Sequence, residues 1–203
     1  MTKRRPPPKR RSSRTQDERR VVRLLTEGRL TEVEYFAKWA TEFRNQISVE
    51  FDPFHGSPMS LVKRAVELIE DRRRRGSDVT FDEIWCIFDR DEHPFVDEAI
   101  ALARQNEIGV GYSNPCFELW FVLHEQDVRR HTERHDMQRL SAKLGLTIGK
   151  SLGPDSWPVL RDSWEVAETR AAALDAMHQA DGSPTRSNPS TSVAEIVRSI
   201  RRR

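Results

Sequence analysis

Long apolar runs are missing from this 203-residue chain, and no stretch approaches the roughly 20 residues that a membrane-spanning helix needs. A helical membrane protein is thereby excluded. Cysteine is scarce: Cys86 and Cys116 are the only two and form no CxxC pair. That removes a zinc or dithiol framework and reads both as small buried hydrophobes. No GxxxxGK[ST] string is present, so there is no Walker phosphate loop. There is also no internal repeat to build a solenoid. The basic N-terminus carries no apolar segment of a secretory signal, and the expected location is the cytoplasm.

Charge is abundant instead. Charged residues make up 33% of the chain against 36% hydrophobic, so the apolar side chains must concentrate in a few elements of one ordinary domain with tails. The net charge of +2 is nearly balanced, but its distribution is uneven. Lys3, Arg4, Arg5, Lys9, Arg10, Arg11 and Arg14 crowd the start, Arg72 to Arg75 form a second run, and Arg201 to Arg203 form a third. Such clusters favour phosphate backbones through counterion release. Residues 1–17 interleave these cations with Pro6-Pro7-Pro8 and Ser12-Ser13, which predicts a disordered basic arm.

From Val21 the pattern alternates strand and helix. Val21 to Leu25 reads as a buried strand. Thr31 to Asn45 reads as a helix with Val33, Phe36, Ala37, Ala40 and Phe43 on one side, opened by a capping box of Thr31 and Glu34. Ile47, Val49 and Phe51 alternate as a half-exposed strand. Leu61, Val62, Ala65, Val66, Leu68 and Ile69 stripe a second helix. Glu83 to Phe88 is a core strand, Pro94 opens a helix running to Gln105, and Ile108 to Tyr112 is a fourth strand. Cys116 to His124 is apolar almost all round, as a buried helix would be. Strands alternating with helices imply a parallel sheet with right-handed crossovers. Beyond Glu125 the expectation is polar helices near Asp136 to Leu144 and Trp164 to Met177. Turn-rich segments follow at Gly149 to Pro158 and Asp181 to Ser192, with a closing helix on Val193, Ile196, Val197 and Ile200. The division expected is a basic arm at 1–17, an α/β core at 18–127 and a helical extension at 128–203.

Two of the predicted strands end on acids: Thr26-Glu27-Gly28 and Asp89-Arg90-Asp91. Residues at i and i+2 leave an extended strand on one face, so Asp89 and Asp91 would converge on one ion, with Glu27 arriving from a neighbouring strand. Carboxylate oxygens are the donors that Mg2+ or Mn2+ takes. The crevice outside the strand carboxyl ends is where open parallel sheets bind ligands. Glu118, among Phe117, Leu119, Trp120, Phe121, Val122 and Leu123, is a buried acid that needs a partner. It is either paired with an arginine or caps its own helix, or it belongs to the same crevice. His55 and Lys150 are further groups that would reach phosphate, and His93 either contacts the leaving group or tunes the site, or is a surface residue beside Pro94. Asn114 reads equally as a phosphate donor or a turn residue, and Trp157 as a packing residue or a face for a base.

A glutamate after the first strand and a DxD after a later core strand is the pattern of the Toprim fold. More narrowly, three strings resemble the RloB family in the same order: Thr26-Glu27-Gly28 with Thr31-Glu32 and Tyr35-Phe36; Trp85 to Pro94; and Ser113 to Trp120. Asn188-Pro189-Ser190-Thr191 with Val193 is similar to that family's ending. The resemblance implies a Toprim-like sheet of about four mainly parallel strands flanked by helices, with a C-terminal helical extension. It also implies association with bacterial restriction and phage defence. By similarity to Toprim nucleases, Asp89 and Asp91 would hold Mg2+ or Mn2+, with Glu27 a further ligand or proton-transfer group. The expected activity is metal-dependent hydrolysis of phosphodiesters in DNA or RNA, transfer RNA included, with Glu27, Asp89, Asp91 and Glu118 as the catalytic set. A non-catalytic nucleic-acid-binding or sensor subunit of a defence complex is the alternative, and nucleotidyl transfer ranks behind both. Expected partners are nucleic acid and a further defence subunit, with homo-oligomerisation left open and no membrane.

Overall fold

Val22, Leu24, Leu25, Ile84, Cys86, Ile87 and Phe88 are all buried, and alternation along their two strands sends them to opposite faces of one sheet. The structure is a computed structural model that describes residues 19–75, 81–90 and 93–202. The predicted arm at 1–17 lies outside the described residues. In chain order the elements are β1 (Arg20–Thr26), α1 (Thr31–Glu42), β2 (Ile47–Phe51), α2 (Pro58–Arg75), β3 (Glu83–Asp89), α3 (Val96–Gln105), β4 (Gly109–Asn114) and α4 (Glu118–Glu125). Then come α5 (Arg134–Lys143), β5 (Thr147–Ile148), β6 (Ser151–Leu152), α6 (Ser156–Asp162), α7 (Trp164–Ala180), β7 (Ser190–Thr191) and α8 (Val193–Arg201).

The main sheet has the order β2-β1-β3-β4-β7, and β5 pairs with β6 in a separate hairpin. β1, β2, β3 and β4 run parallel, while β7 is antiparallel to β4 through Ser113 with Thr191 and Asn114 with Ser190. The α/β fold of mainly parallel strands expected from the sequence is the fold found. It carries a fifth strand in a segment that reads as a turn-rich linker.

One core layer packs Leu61, Val62 and Ala65 of α2 and Ala99, Ile100 and Ala103 of α3 against Leu25, Cys86 and Phe88. The other gathers Tyr35, Phe36 and Trp39 of α1, the apolar residues of α4, and Val193, Ile196, Val197 and Ile200 of α8 around Val22, Leu24 and Ile87. α8 can lie this close because a Cβ at Gly111 would stand 2.4 Å from Ile196 Cδ1. Burying a Leu or Ile side chain contributes about 2 kcal/mol, so α8 with its four large apolar residues is part of the sheet's cover. Among the described residues no helix is long and apolar enough to cross a membrane.

Several local expectations change. α1 buries Glu32, Tyr35, Phe36 and Trp39 rather than the stripe on Val33 and Ala37. Its cap is Leu30 with no side-chain hydrogen bond, so the Thr31–Glu34 capping box does not form. α3 starts at Val96, two residues after Pro94, with Phe95 as its cap. Gly149 to Pro158 is not a plain loop, because it holds β6 and the start of α6. Trp157 lies 5.1 Å from Trp39, edge to face, and stacks in the core instead of waiting for a base. Arg201 of the terminal basic run sits 4.4 Å above Trp164, and Arg202 pairs with Glu83 at 2.8 Å. These cations serve the fold.

Candidate active site

The sheet ladder itself delivers the first two acids. Thr26 pairs with Ile87, and the pairing continues one residue further, where the Glu27 N–H donates to Ile87 O at 2.9 Å. Glu27 is therefore held beside the end of β3, and its Oε2 accepts from the Asp89 N–H at 3.2 Å. Its Oε1 lies 3.0 Å from His93 Nε2. Asp89 is the last residue of β3, opposite Ser113 of β4, and only 6% exposed. Adjacent parallel strands thus bring Glu27 and Asp89 together as the sequence predicts. Asp91 and Glu92 lie outside the described residues.

Two more acids come from helix starts. Glu32, in the first turn of α1, is buried and folds back over the turn at Gly28, where a Cβ would meet its Oε2 at 2.2 Å. Glycine alone leaves room for it. The N–H groups of Gly28 and Glu32 hydrogen-bond this carboxylate. Glu118 opens α4 and is also buried. Both acids stand at the positive end of a helix dipole.

The four carboxylates feel one another. Burial pushes the Asp89 carboxyl well above the usual range, and Glu32, Glu118 and Glu27 add repulsion. Arg134, 3.6 Å from Asp89 Oδ2, opposes that shift without cancelling it. Burial likewise raises Glu32, helped by the charges on Glu118 and Glu27. Burial raises the Cys116 thiol too, with Glu118 and Asp89 adding to the effect. Glu27, Glu32, Asp89 and Glu118 line one crevice of about 340 Å3 together with Arg29, Arg134 and Lys150. Four carboxylates face three cations there, with Glu32, Asp89 and Glu118 buried and Arg29 and Lys150 exposed.

Lys150 reaches the crevice on the turn between β5 and β6. The residues that fail to form a capping box fix that turn. Thr31 Oγ1 donates to Lys150 O at 2.6 Å, and Glu34 accepts from Ser151 Oγ at 3.0 Å and from the Leu152 N–H at 2.8 Å. Arg134 enters as the first residue of α5, which packs against α4. Of the remaining candidates, His55 Nδ1 lies 2.8 Å from Thr26 O and braces the loop after β2. Asn114 donates to Arg186 O at 2.9 Å, a structural use. His93, read as a surface residue beside Pro94, lies against Glu27.

Sequence reasoning passed over Glu32 and Arg134. Glu32 left a signal in the Gly28-to-Thr31 turn, whereas Arg134 left none, because one arginine in a polar helix carries no periodic mark.

The donors in the crevice are carboxylate oxygens, the set a hard divalent cation takes. Among the described residues no three His, Cys, Asp or Glu side chains form a ready-made ligand cage. Mg2+ does not require one, since it is held by one or two carboxylates with water and substrate phosphate completing its octahedron. The Glu27–Asp89 pair fits such an ion, whereas a zinc centre would need a closed set of nitrogen and sulfur donors.

A family model described as RloB-like protein matches residues 22–200. No curated protein and no solved structure matches the chain.

Proposed function

This chain belongs to the RloB-like protein family, and we propose that it is a metal-dependent phosphodiester hydrolase acting on nucleic acid in bacterial phage defence. The observation that carries the chemistry is the convergence of Glu27, Glu32, Asp89 and Glu118 with Arg134 and Lys150 in one crevice at the carboxyl ends of β1 and β3. The defence role rests on the family alone.

In this reading Glu27 and Asp89 hold Mg2+ or Mn2+, and Asp91, two residues beyond Asp89, is a further ligand. When bound, the ion supplies activation of water and polarisation of a phosphate oxygen. Lys150 and Arg134 neutralise the charge that builds on the phosphoryl oxygens. Glu118, buried at the start of α4, takes the proton of the attacking water as its oxygen bonds to phosphorus and the bond to the leaving sugar oxygen breaks. His93 orients Glu27 through their 3.0 Å contact. Glu32 keeps the Gly28 turn closed over the crevice and holds the local potential negative enough to attract a cation.

The test is incubation of the purified chain with single-stranded, duplex and structured nucleic acids plus Mn2+, beside an Asp89→Ala control. Cleavage that disappears in the variant supports the hydrolase. Equal binding by both proteins without cleavage replaces it with the non-catalytic subunit.

A further inference from the structure

Five large hydrophobic side chains are exposed among the described residues: Leu30, Phe54, Phe95, Ile148 and Val166. Scattered exposed apolar residues need no explanation, but a group around one crevice does. Leu30 lines the carboxylate crevice itself. Ile148 stands two residues from Lys150, on the hairpin that Thr31 and Glu34 latch in place. Phe54 precedes His55, which is held at 2.8 Å by Thr26 O, the residue before Glu27. Phe95 follows His93, the contact of Glu27, by two residues. Phe54 and Phe95 stand on the loops that follow β2 and β3, which flank β1 and run parallel to it, so both loops leave the sheet at the edge that carries the crevice, whereas Val166 lies on α7.

Phe95 is not explained by folding, whereas Phe54, 37% exposed, lies against Gly56, where a Cβ would stand 3.2 Å from the ring. Phe95 is 61% exposed and has a φ of 68°, so it gives up burial and adopts a left-handed backbone that a side chain disfavours. Phe54 sits on a loop tip pinned by its own N–H donating to Asp52 Oδ1 at 2.9 Å, and it shares a shallow hollow with Lys63 and Arg64. Arg64 is shared there with Asp52 at 3.6 Å. Lys63 and Arg64 line that hollow beside Asp52 and Glu67, while Arg29 and Lys150 line the crevice beside its four carboxylates.

We propose that this rim seats an unpaired nucleic-acid strand, with Phe54 and Phe95 as stacking faces for bases and Arg29, Lys63, Arg64 and Lys150 along the phosphates. The inference rests on the hydrolase reading and narrows its substrate to single-stranded or unpaired segments. Bases inside a duplex are stacked on each other and offer no free face to a phenyl ring, whereas splayed bases do. A protein partner would also cover apolar residues, but ring faces on the edge that carries the crevice, with exposed Arg29, Lys63 and Lys150 near it, offer base stacking and phosphate contact together.

The experiment measures binding of a labelled single strand, and of the same sequence as a duplex, to the full chain in EDTA by fluorescence anisotropy. The variants are Phe54→Ala/Phe95→Ala and Phe54→Tyr/Phe95→Tyr. The expected result is preference for the single strand, weakened about tenfold per ring in the alanine variant and kept in the tyrosine variant. Because both rings are exposed, all variants should melt as the wild type does. Equal affinity for duplex, or an alanine variant that binds as wild type, overturns the inference, as it would if the rim docked a protein instead. Mn2+-dependent cleavage with binding unchanged in the alanine variant overturns this inference alone. Ring-dependent binding without any cleavage overturns the hydrolase reading and leaves the strand surface standing.

Discussion

Asp89 is where folding and catalysis make opposite demands. Its carboxylate is buried, repelled by Glu32, Glu118 and Glu27, and partly offset by Arg134 at 3.6 Å, so its charge opposes the native state. Asp89→Asn keeps the shape and removes the charge. We expect the variant in EDTA to melt at or above the wild-type temperature while cleavage with Mn2+ falls about 100-fold or more. Calorimetry beside a cleavage assay checks both. A residue there for structure alone would lose stability without a selective loss of activity. This pair was legible in the sequence because Glu27 and Asp89 each end an apolar run, and a buried strand has one place to put an acid. Arg201 was not legible in the same way. As one cation among three at the terminus it reads as surface charge, yet its guanidinium lies over Trp164 and Trp39, a placement set by the packing of α8.

The elements that build the crevice are of unequal legibility for a physical reason. β1, β3 and the apolar α4 bury several residues apiece and leave continuous hydrophobic strings. β5, β6 and β7 have two residues each, too few for any period to show. The Thr31–Glu34 spacing is a genuine local signal that tertiary structure redirects. Both side chains turn from their own helix to the β5–β6 hairpin, where Glu34 satisfies the Leu152 N–H at 2.8 Å and Ser151 Oγ at 3.0 Å. Hydrogen bonds to a charged acceptor contribute about 1.5–3 kcal/mol each, and these two fix the turn that carries Lys150. Glu34→Ala should therefore open the hairpin. Limited proteolysis should cut between Ile148 and Ser151 faster than in the wild type, and cleavage of nucleic acid should fall as far as it does in Lys150→Ala. Glu34→Gln keeps one acceptor oxygen and should fall between Glu34→Ala and the wild type. If Glu34→Ala cleaves normally while Lys150→Ala does not, the latch has no part in placing the lysine.

At the scale of the whole molecule, stability becomes a readout of the crevice. Burial, then repulsion among neighbouring acids, makes Asp89 and Glu32 hold protons more tightly folded than unfolded. Between the ordinary carboxylate range and their raised values the folded state binds more protons than the unfolded chain, so stability falls as pH rises across that window. His124 acts with the opposite sign. It is buried against Trp120, its Nδ1 lies 2.8 Å from Trp120 O, and burial pushes it down to about 4 from 6.5. Between those values the unfolded chain binds more protons, so stability is lost as pH falls, by about 3 kcal/mol in all. The two effects part on addition of a divalent cation. Mg2+ in the crevice compensates the clustered carboxylates and cannot reach a histidine buried in the last turn of α4. Melting temperature against pH in EDTA should thus show a descending limb from the acids, and Mg2+ should flatten it. The ascending limb from His124 should persist in both conditions and vanish in His124→Gln. A descending limb that Mg2+ leaves untouched would mean that the four acids repel each other for no ion, and the hydrolase would lose its chemical basis.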